Sequence, residues 1–322
     1  MEPICGAERV TPVAADAVAL RTVVPIALLV GAGVLARATG VLREGDARVL
    51  NAYVYWFALP ALFVTNIAEM SLDRGNARFV LACVLPVLGA AVVLAVLSRV
   101  FGLARGTFVL VAVSTVFGSL AFFGIPFVMF AFPGPDAERL AALGAAATSL
   151  VAVAVTIALL EYARLESPGL LAGARVVGSR LARNPLVLSI AAGVALSASG
   201  APLPLPIERP LHMLGTTTAT VSFFMLGAFL YGRRYVNLRV AAGLALLRLV
   251  LLPLAALAVA EFAGLAGLER TVSVLMSGMP VAVSLLVLSE RYDFHPGTIA
   301  SLVLLSSVGS ALTLNLWLLL LA

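Results

Sequence analysis

The chain has no lysine, two cysteines and two histidines, and only 11% of its 322 residues are charged. Each scarcity excludes a class of protein. Soluble domains carry about 25% charged residues, and a chain that is also 62% hydrophobic is not one of them. Cys5 and Cys83 are too few and too differently placed for a disulfide framework, and read as tail or packing residues. His212 and His295 lie near the ends of apolar runs without metal-ligand company, and no His-Glu-x-x-His zinc pattern occurs. Glu69, Glu161, Glu261 and Glu290 also fall at the ends of apolar runs, where solvated caps are expected, and no carboxylate is central. A titrating acid at membrane depth, the usual device of a proton-coupled carrier, is therefore missing. The positive side of the formal charge of +5 is all arginine. These arginines stand singly or in small groups between apolar runs, which argues for topology signals and against a nucleic-acid partner.

What the sequence does have is apolar length. Runs of about 20 apolar residues recur, the signature of a multi-span helical membrane protein, without the alternating segments of about 10 residues that a β-barrel needs. Ten spans are expected, at about 22–38, 48–68, 78–99, 106–132, 138–161, 184–200, 211–231, 240–261, 270–290 and 297–321. The opening "MEPICGAERVTPVAADAVAL" lacks the basic start and apolar core of a signal peptide, so 1–21 reads as a short, poorly ordered leader. The longest and most basic connection, 162–183, divides the chain into two sets of five spans, 22–161 and 184–322. Ten spans place both termini on one side. The loops of the other side carry thirteen arginines against seven on the terminal side, with Arg248 alone inside a span. Positive-rich loops stay cytoplasmic, so both termini are expected outside and 162–183 in the cytoplasm.

Five is odd, so the second set enters the membrane from the opposite side. Related halves would then form an inverted repeat, a common transporter plan. The sequence carries the marks of one. Span 4 contains "FGSLAFFGIP" (117–126) and span 9 "VLMSGMP" (274–280), each with a Gly-X-Pro in its interior. Spans 3 and 8 each open on arginine and later carry Leu-Pro, at Pro86 and Pro253. Proline lacks the N–H and crowds the preceding turn, and broken backbone at membrane depth survives only where it meets protein, water or ligand. Gly124-Ile125-Pro126 and Gly278-Met279-Pro280 are thus expected to be two halves of one midplane site. The carbonyls of Phe122 and Met276 would be freed, the glycines would let the spans approach closely, and amides beyond each proline would suit a carboxylate. Ser119, Ser277 and Ser284 would add hydroxyls.

By its residues the chain resembles the auxin efflux carrier family. The resemblance is carried by "VLNAYVYWFALPALFVTNIA" (49–68), "FFGIPFVMFAFPG" (122–134), "NPLVLSIAAGVALSASGAPLP" (184–204), "FFMLGAFL" (223–230), "RLVLLP" (248–253) and "MPVAVSLLVLSERYDFHPG" (279–297). It runs from about residue 22 to the C-terminus. What the resemblance implies is an all-α membrane protein similar to bile-acid and sodium/proton transporters. Spans 1, 2, 6 and 7 would be a scaffold and the other six a transport domain in which broken spans 4 and 9 cross. The implied substrates are small organic anions, auxin in plants and proposed dicarboxylates in bacteria, and the implied location is a bacterial inner membrane. Asn51 recurs in relatives and is placed at the cytoplasmic mouth, whereas Tyr53 and Trp56 read as interfacial anchors. Relatives often have Asn at the places of Ser119 and Ser284 and Pro at that of Thr220, so substrate identity does not carry over.

Two questions stay open at this level. Ser114, Thr115, Thr148, Ser149, Ser306, Ser307 and Ser310 are oxygen ligands for a sodium ion or merely small residues for helix packing. Arg248 either snorkels to the cytoplasmic interface or is a buried cation that holds the crossing or attracts an anion. The functional expectation is a secondary transporter of a small organic anion, coupled to sodium, to a proton or to nothing, with no cofactor and with a homodimer allowed. A channel or passive facilitator is the alternative. An intramembrane enzyme lacks its inventory, since no span pairs a serine with a central histidine or lysine.

Overall fold

A computed structural model describes residues 15–43, 45–70, 74–164, 178–179, 182–200 and 203–321. Residues 1–14 of the expected leader, with Cys5, and most of the 162–183 connection lie outside the described residues, whereas residues 15–21 of that leader are the first turns of a helix rather than a poorly ordered segment. The fold is helical throughout. In chain order the helices are α1 (Ala15–Ala38), α2 (Asp46–Ala68), α3 (Arg74–Val100), α4 (Arg105–Val116), α5 (Leu120–Ala131) and α6 (Pro135–Arg164), followed by α7 (Pro185–Ser199), α8 (Leu205–Leu230), α9 (Leu238–Phe262), α10 (Gly267–Ser277), α11 (Val283–Tyr292) and α12 (Pro296–Leu321). Among the described residues the sole β-type pairing is one antiparallel bridge, Gly118 to Val281.

Six of these helices (α2, α3, α6, α8, α9 and α12) are long and apolar enough to cross a membrane. The apolar part of α1, together with α4, α5 and α7, forms shorter apolar helices. Helices therefore stand wherever a span was expected, but spans 4 and 9 are each two pieces of 10–12 residues. At 1.5 Å per residue such a piece covers only about half of a 30 Å hydrocarbon layer. Large apolar side chains such as Leu28, Val92, Leu246 and Leu312 point outward. That is the arrangement of a membrane protein, whose periphery meets hydrocarbon.

Helix pairing follows small residues. α1 packs most extensively on α8. A Cβ on Gly33 would lie 1.9 Å from the Phe224 carbonyl oxygen, and one on Gly227 would lie 1.9 Å from that of Val30. These contacts are backbone to backbone and only glycine allows them. α2 packs nearly as extensively on α7, where a Cβ on Gly193 would lie 2.9 Å from Ile67. In the other group α3 lies along α6, and α9 along α12.

Proline does not break helices here in the way the sequence reading assumed. Three helices widen into a π-turn, at Val54–Ala58, Leu120–Gly124 and Leu247–Leu251. Each turn ends two residues before a proline: Pro60, Pro126 and Pro253. The extra residue in the turn moves the preceding carbonyls away from the pyrrolidine ring, which removes the clash that would otherwise kink the helix. At Pro253 the carbonyl four residues back, Leu249, is taken up by the indole N–H of Trp317 at 3.2 Å. Pro25, Pro86 and Pro210 lie inside helices assigned as α throughout.

Candidate functional site

The two interrupted helices meet, and they do so through their interruptions. Ser119 donates its backbone N–H to the Pro280 carbonyl at 2.8 Å, and Ala282 donates to the Phe117 carbonyl at 3.2 Å. The stretch Phe117-Gly118-Ser119 thus runs antiparallel to Pro280-Val281-Ala282 as a short two-stranded ribbon in the middle of a helical protein. Val281 donates to the Ser306 hydroxyl at 3.0 Å, and Met279 to the Met276 carbonyl at 3.4 Å. Every N–H from Met279 to Ala282 is thereby satisfied, as buried backbone requires.

This geometry corrects three expectations. The first interruption is not at Gly124-Ile125-Pro126. It lies more than a turn earlier, at Phe117–Ser119, while Pro126 occupies the first turn of an ordinary helical segment beyond the π-turn. The Met276 carbonyl is not free, because the Met279 amide reaches it. Nor are the amides immediately beyond Pro280 on offer to a ligand, since the crossing uses them on itself. The amides without an intrahelical acceptor come one step later, in the first turns of α5 and α11. The expected close approach does hold at one glycine. A Cβ on Gly124 would lie 2.9 Å from the Met276 sulfur and 3.1 Å from Met279 Cγ. A Cβ on Gly278 would meet Pro253 at 3.0 Å and Leu314 at 3.3 Å, so that glycine fits α10 against α9 and α12.

Arg248 is buried, with 1% of its surface exposed. The snorkelling alternative is thereby excluded. Its Nε donates to the Met279 carbonyl at 2.7 Å and Nη1 to the Thr115 carbonyl. The guanidinium lies so close to Gly118 that a Cβ there would sit 1.8 Å from Nη2. Around it pack Cys83, Val87, Val116, Leu120, Thr148, Leu252, Met276 and Ser277, and none of these described neighbours is a carboxylate. Cys83 is a buried packing residue.

Beside the junction of the two interruptions a narrow recess opens towards α8. Ser119, Phe122, Phe123, Pro280, Val281 and Val283 line it from the crossing, Ser222, Phe223, Met225 and Leu226 from α8, and Ser307 from α12. Its free volume is about that of one water molecule, too small for an organic ligand unless the lining moves. Ser222 is 2% exposed and its hydroxyl has no hydrogen-bond partner among the described residues; the same holds for Thr218, fully buried one turn earlier on α8. Buried hydroxyls without partners are uncommon and mark a place where something else can bind. Neither residue stood out in the sequence, because a serine or threonine on an apolar helix face reads as packing. Only the position of α8 against the crossing distinguishes them.

The remaining sequence candidates scatter. Ser277 is buried and donates back to the Ser273 carbonyl at 3.1 Å, facing the Arg248 side. Ser284 is exposed and does not line the recess, and Asn51 is half-buried on α2 away from it. Among the oxygen candidates, Ser114, Thr115, Ser306 and Ser310 donate to carbonyls three or four residues back in their own helices, an ordinary use of such hydroxyls. Thr148 is buried beside Arg248, Ser149 is half-buried, and Ser307 is at the recess. Among the described residues no group of three or more histidine, cysteine or acidic side chains could hold a metal ion. The acidic caps have partners that the sequence did not reveal. Glu69 pairs with Arg139, Glu261 with Arg270 at 3.0 Å, Glu290 with Arg233 at 3.0 Å, and Glu161 accepts from the Tyr292 hydroxyl at 2.6 Å.

No curated protein matches the chain significantly. A family model described as membrane transport protein does match it, in two overlapping segments, residues 18–162 and 136–318. The match spans nearly all of the helices and both interruptions, and the chain accordingly belongs to this family of membrane transporters, the auxin efflux carrier family.

Proposed function

We propose that this chain is a secondary carrier of a small organic anion, such as an auxin-like monocarboxylate or a dicarboxylate, and that the anion binds in the recess between the crossing and α8. The observation that carries the reading is the unpartnered hydroxyl of Ser222 in that recess, opposite Ser119 and beside the first turns of α5 and α11. Helix N-termini present N–H groups and positive potential to an anion. Ser119 and Ser307 extend the polar lining, and Phe122, Phe123 and Phe223 supply an apolar wall for an organic skeleton.

Ten spans in two inverted sets are part of the same reading. The helix pairs support it, because exchanging the first set of five spans with the second carries α1 on α8 into α7 on α2, and α3 along α6 into α9 along α12. The ribbon between the interruptions is itself antiparallel. In this reading α1, α2, α7 and α8 are the scaffold, and the other helices move against it to expose the recess to either side in turn. Both termini face outward and the 162–183 connection faces a bacterial cytoplasm, following the arginine distribution. The bilayer is the only further partner the reading requires.

The test is counterflow in proteoliposomes, preceded by a thermal-shift screen of small carboxylates. Saturable exchange that Ser222→Val removes supports the reading. Flux that never saturates supports the channel alternative, and stabilisation by neutral or cationic solutes alone rejects the anion.

A further inference from the structure

The C-terminal ends of α4 and α10 lead into the two interruptions, where among the described residues the carbonyls of Thr115 and Met279 accept from no backbone N–H. A helix C-terminus carries about −0.5 of an elementary charge, so the two together amount to about one negative charge in a place that water does not reach. Half-helix C-termini of this kind draw cations. Here the cation is covalent. The Arg248 guanidinium donates to the Thr115 carbonyl, in the last turn of α4, and to the Met279 carbonyl, two residues past the end of α10. None of its described neighbours is a carboxylate that would make it half of an ion pair. The two helix ends are its counter-charge.

The surroundings are built around it. Gly118 has no side chain because the guanidinium fills the space where a Cβ would stand, 1.8 Å from Nη2. The conformation at Gly118 does not itself demand glycine, since its φ is not among the positive ones.

We propose that Arg248 is the resident counter-ion of the crossing: it stands where a coupling cation would bind, and it makes the assembly of the two interrupted helices independent of sodium. The π-turn at Leu247–Leu251 contributes by placing Arg248 within a widened turn of α9. A consequence is that removing the side chain opens a space lined by carbonyl oxygens, suited to a small monovalent cation or to free guanidinium. The inference does not depend on the identity of the transported anion, and its test contains no substrate.

The experiment measures the melting temperature of the full chain in detergent, in sodium chloride and in choline chloride at equal ionic strength. The native chain is expected to melt at the same temperature in both. Arg248→Ala is expected to melt several degrees lower in choline, and to recover most of the loss in sodium or on addition of low guanidinium concentrations that leave the native chain unaffected. Arg248→Lys, which keeps the charge, is expected to fold and to remain indifferent to sodium. A native chain stabilised by sodium overturns the proposal, as does a folded Arg248→Ala that neither sodium nor guanidinium stabilises. Should Arg248→Ala fail to fold in every salt, Arg248→Lys decides: folded and sodium-indifferent supports the proposal, while unfolded or sodium-dependent rejects it.

Discussion

In the first interruption the chain turns at Phe117-Gly118-Ser119 without a proline, whereas in the second Pro280 lies inside the extended stretch. Pro126, the residue that marks the first site in the sequence, sits in a helix. The difference separates two effects that the sequence merges. A proline removes one hydrogen bond and adds one clash, and a π-turn can absorb both, as it does before Pro60, Pro126 and Pro253. To open a helix over three to five residues requires other partners for the freed groups. At Phe117–Ser119 those partners come from the second interruption, while Arg248 takes the Thr115 carbonyl just before it and the Met279 carbonyl opposite.

The sharpest way to break the comparison is to fill the space at Gly118. Gly118→Val drives side-chain carbons into the Arg248 guanidinium and separates it from two carbonyls. The expected loss is about 3 kcal/mol or more, the sum of overpacking and unsatisfied buried groups. It is read as a large fall in melting temperature or as failure to fold. Gly124→Ala meets only the flexible ends of Met276 and Met279, so its fall should be much smaller. Equal effects at the two glycines would mean that the guanidinium is not rigidly held.

Next in size is the support of the π-turn before Pro253. Trp317→Phe keeps the ring but leaves the Leu249 carbonyl unpaired, an expected cost of about 1–3 kcal/mol in thermal or denaturant unfolding. The two prolines of the broken spans should differ more in local opening than in global stability. Pro280→Ala loosens the ribbon by about 0.4–1 kcal/mol and should speed hydrogen exchange at the Ser119 and Ala282 amides. Pro126→Ala should leave those amides unchanged. Faster exchange in both variants would restore Pro126 as part of the interruption.

The smallest effect is expected at the ends of the helices. Glu69 and Arg139 pair across α2 and α6, but 43% and 33% of their side-chain surfaces remain exposed. Glu69→Gln should therefore change stability by less than about 1 kcal/mol, and less again at high salt. A larger change would identify this pair as a latch between the two helix groups.

Much of this could be read without coordinates. Apolar runs of sufficient length fix where helices form, because a backbone in lipid must satisfy itself. All the expected spans coincide with helices or helix pairs. The recurrence of Gly-X-Pro points to two distant segments that do meet in the fold, and Gly124 does mark a close contact between them. Arg248 was conspicuous as the single charge inside a span. The first interruption was misplaced because Gly118 and Ser119 carry no strong local signal, while Pro126 carries a strong one that the fold neutralises. Ser222 and Thr218 were overlooked because only their neighbours on other helices, or the lack of a polar neighbour, distinguish them from packing residues.

Sequence alone thus determined the class of protein, the positions of its helices and the one charge that needed an explanation. These are properties of local composition measured against a bilayer. Tertiary structure decided where the helices open, what Arg248 touches and which hydroxyls remain unused. Each of these depends on groups more than a hundred residues apart, such as Thr115 and Arg248 or Ser222 and Ser119. Whether a freed carbonyl or a buried hydroxyl is satisfied is set by what packs against it, and no local stretch of sequence contains that partner.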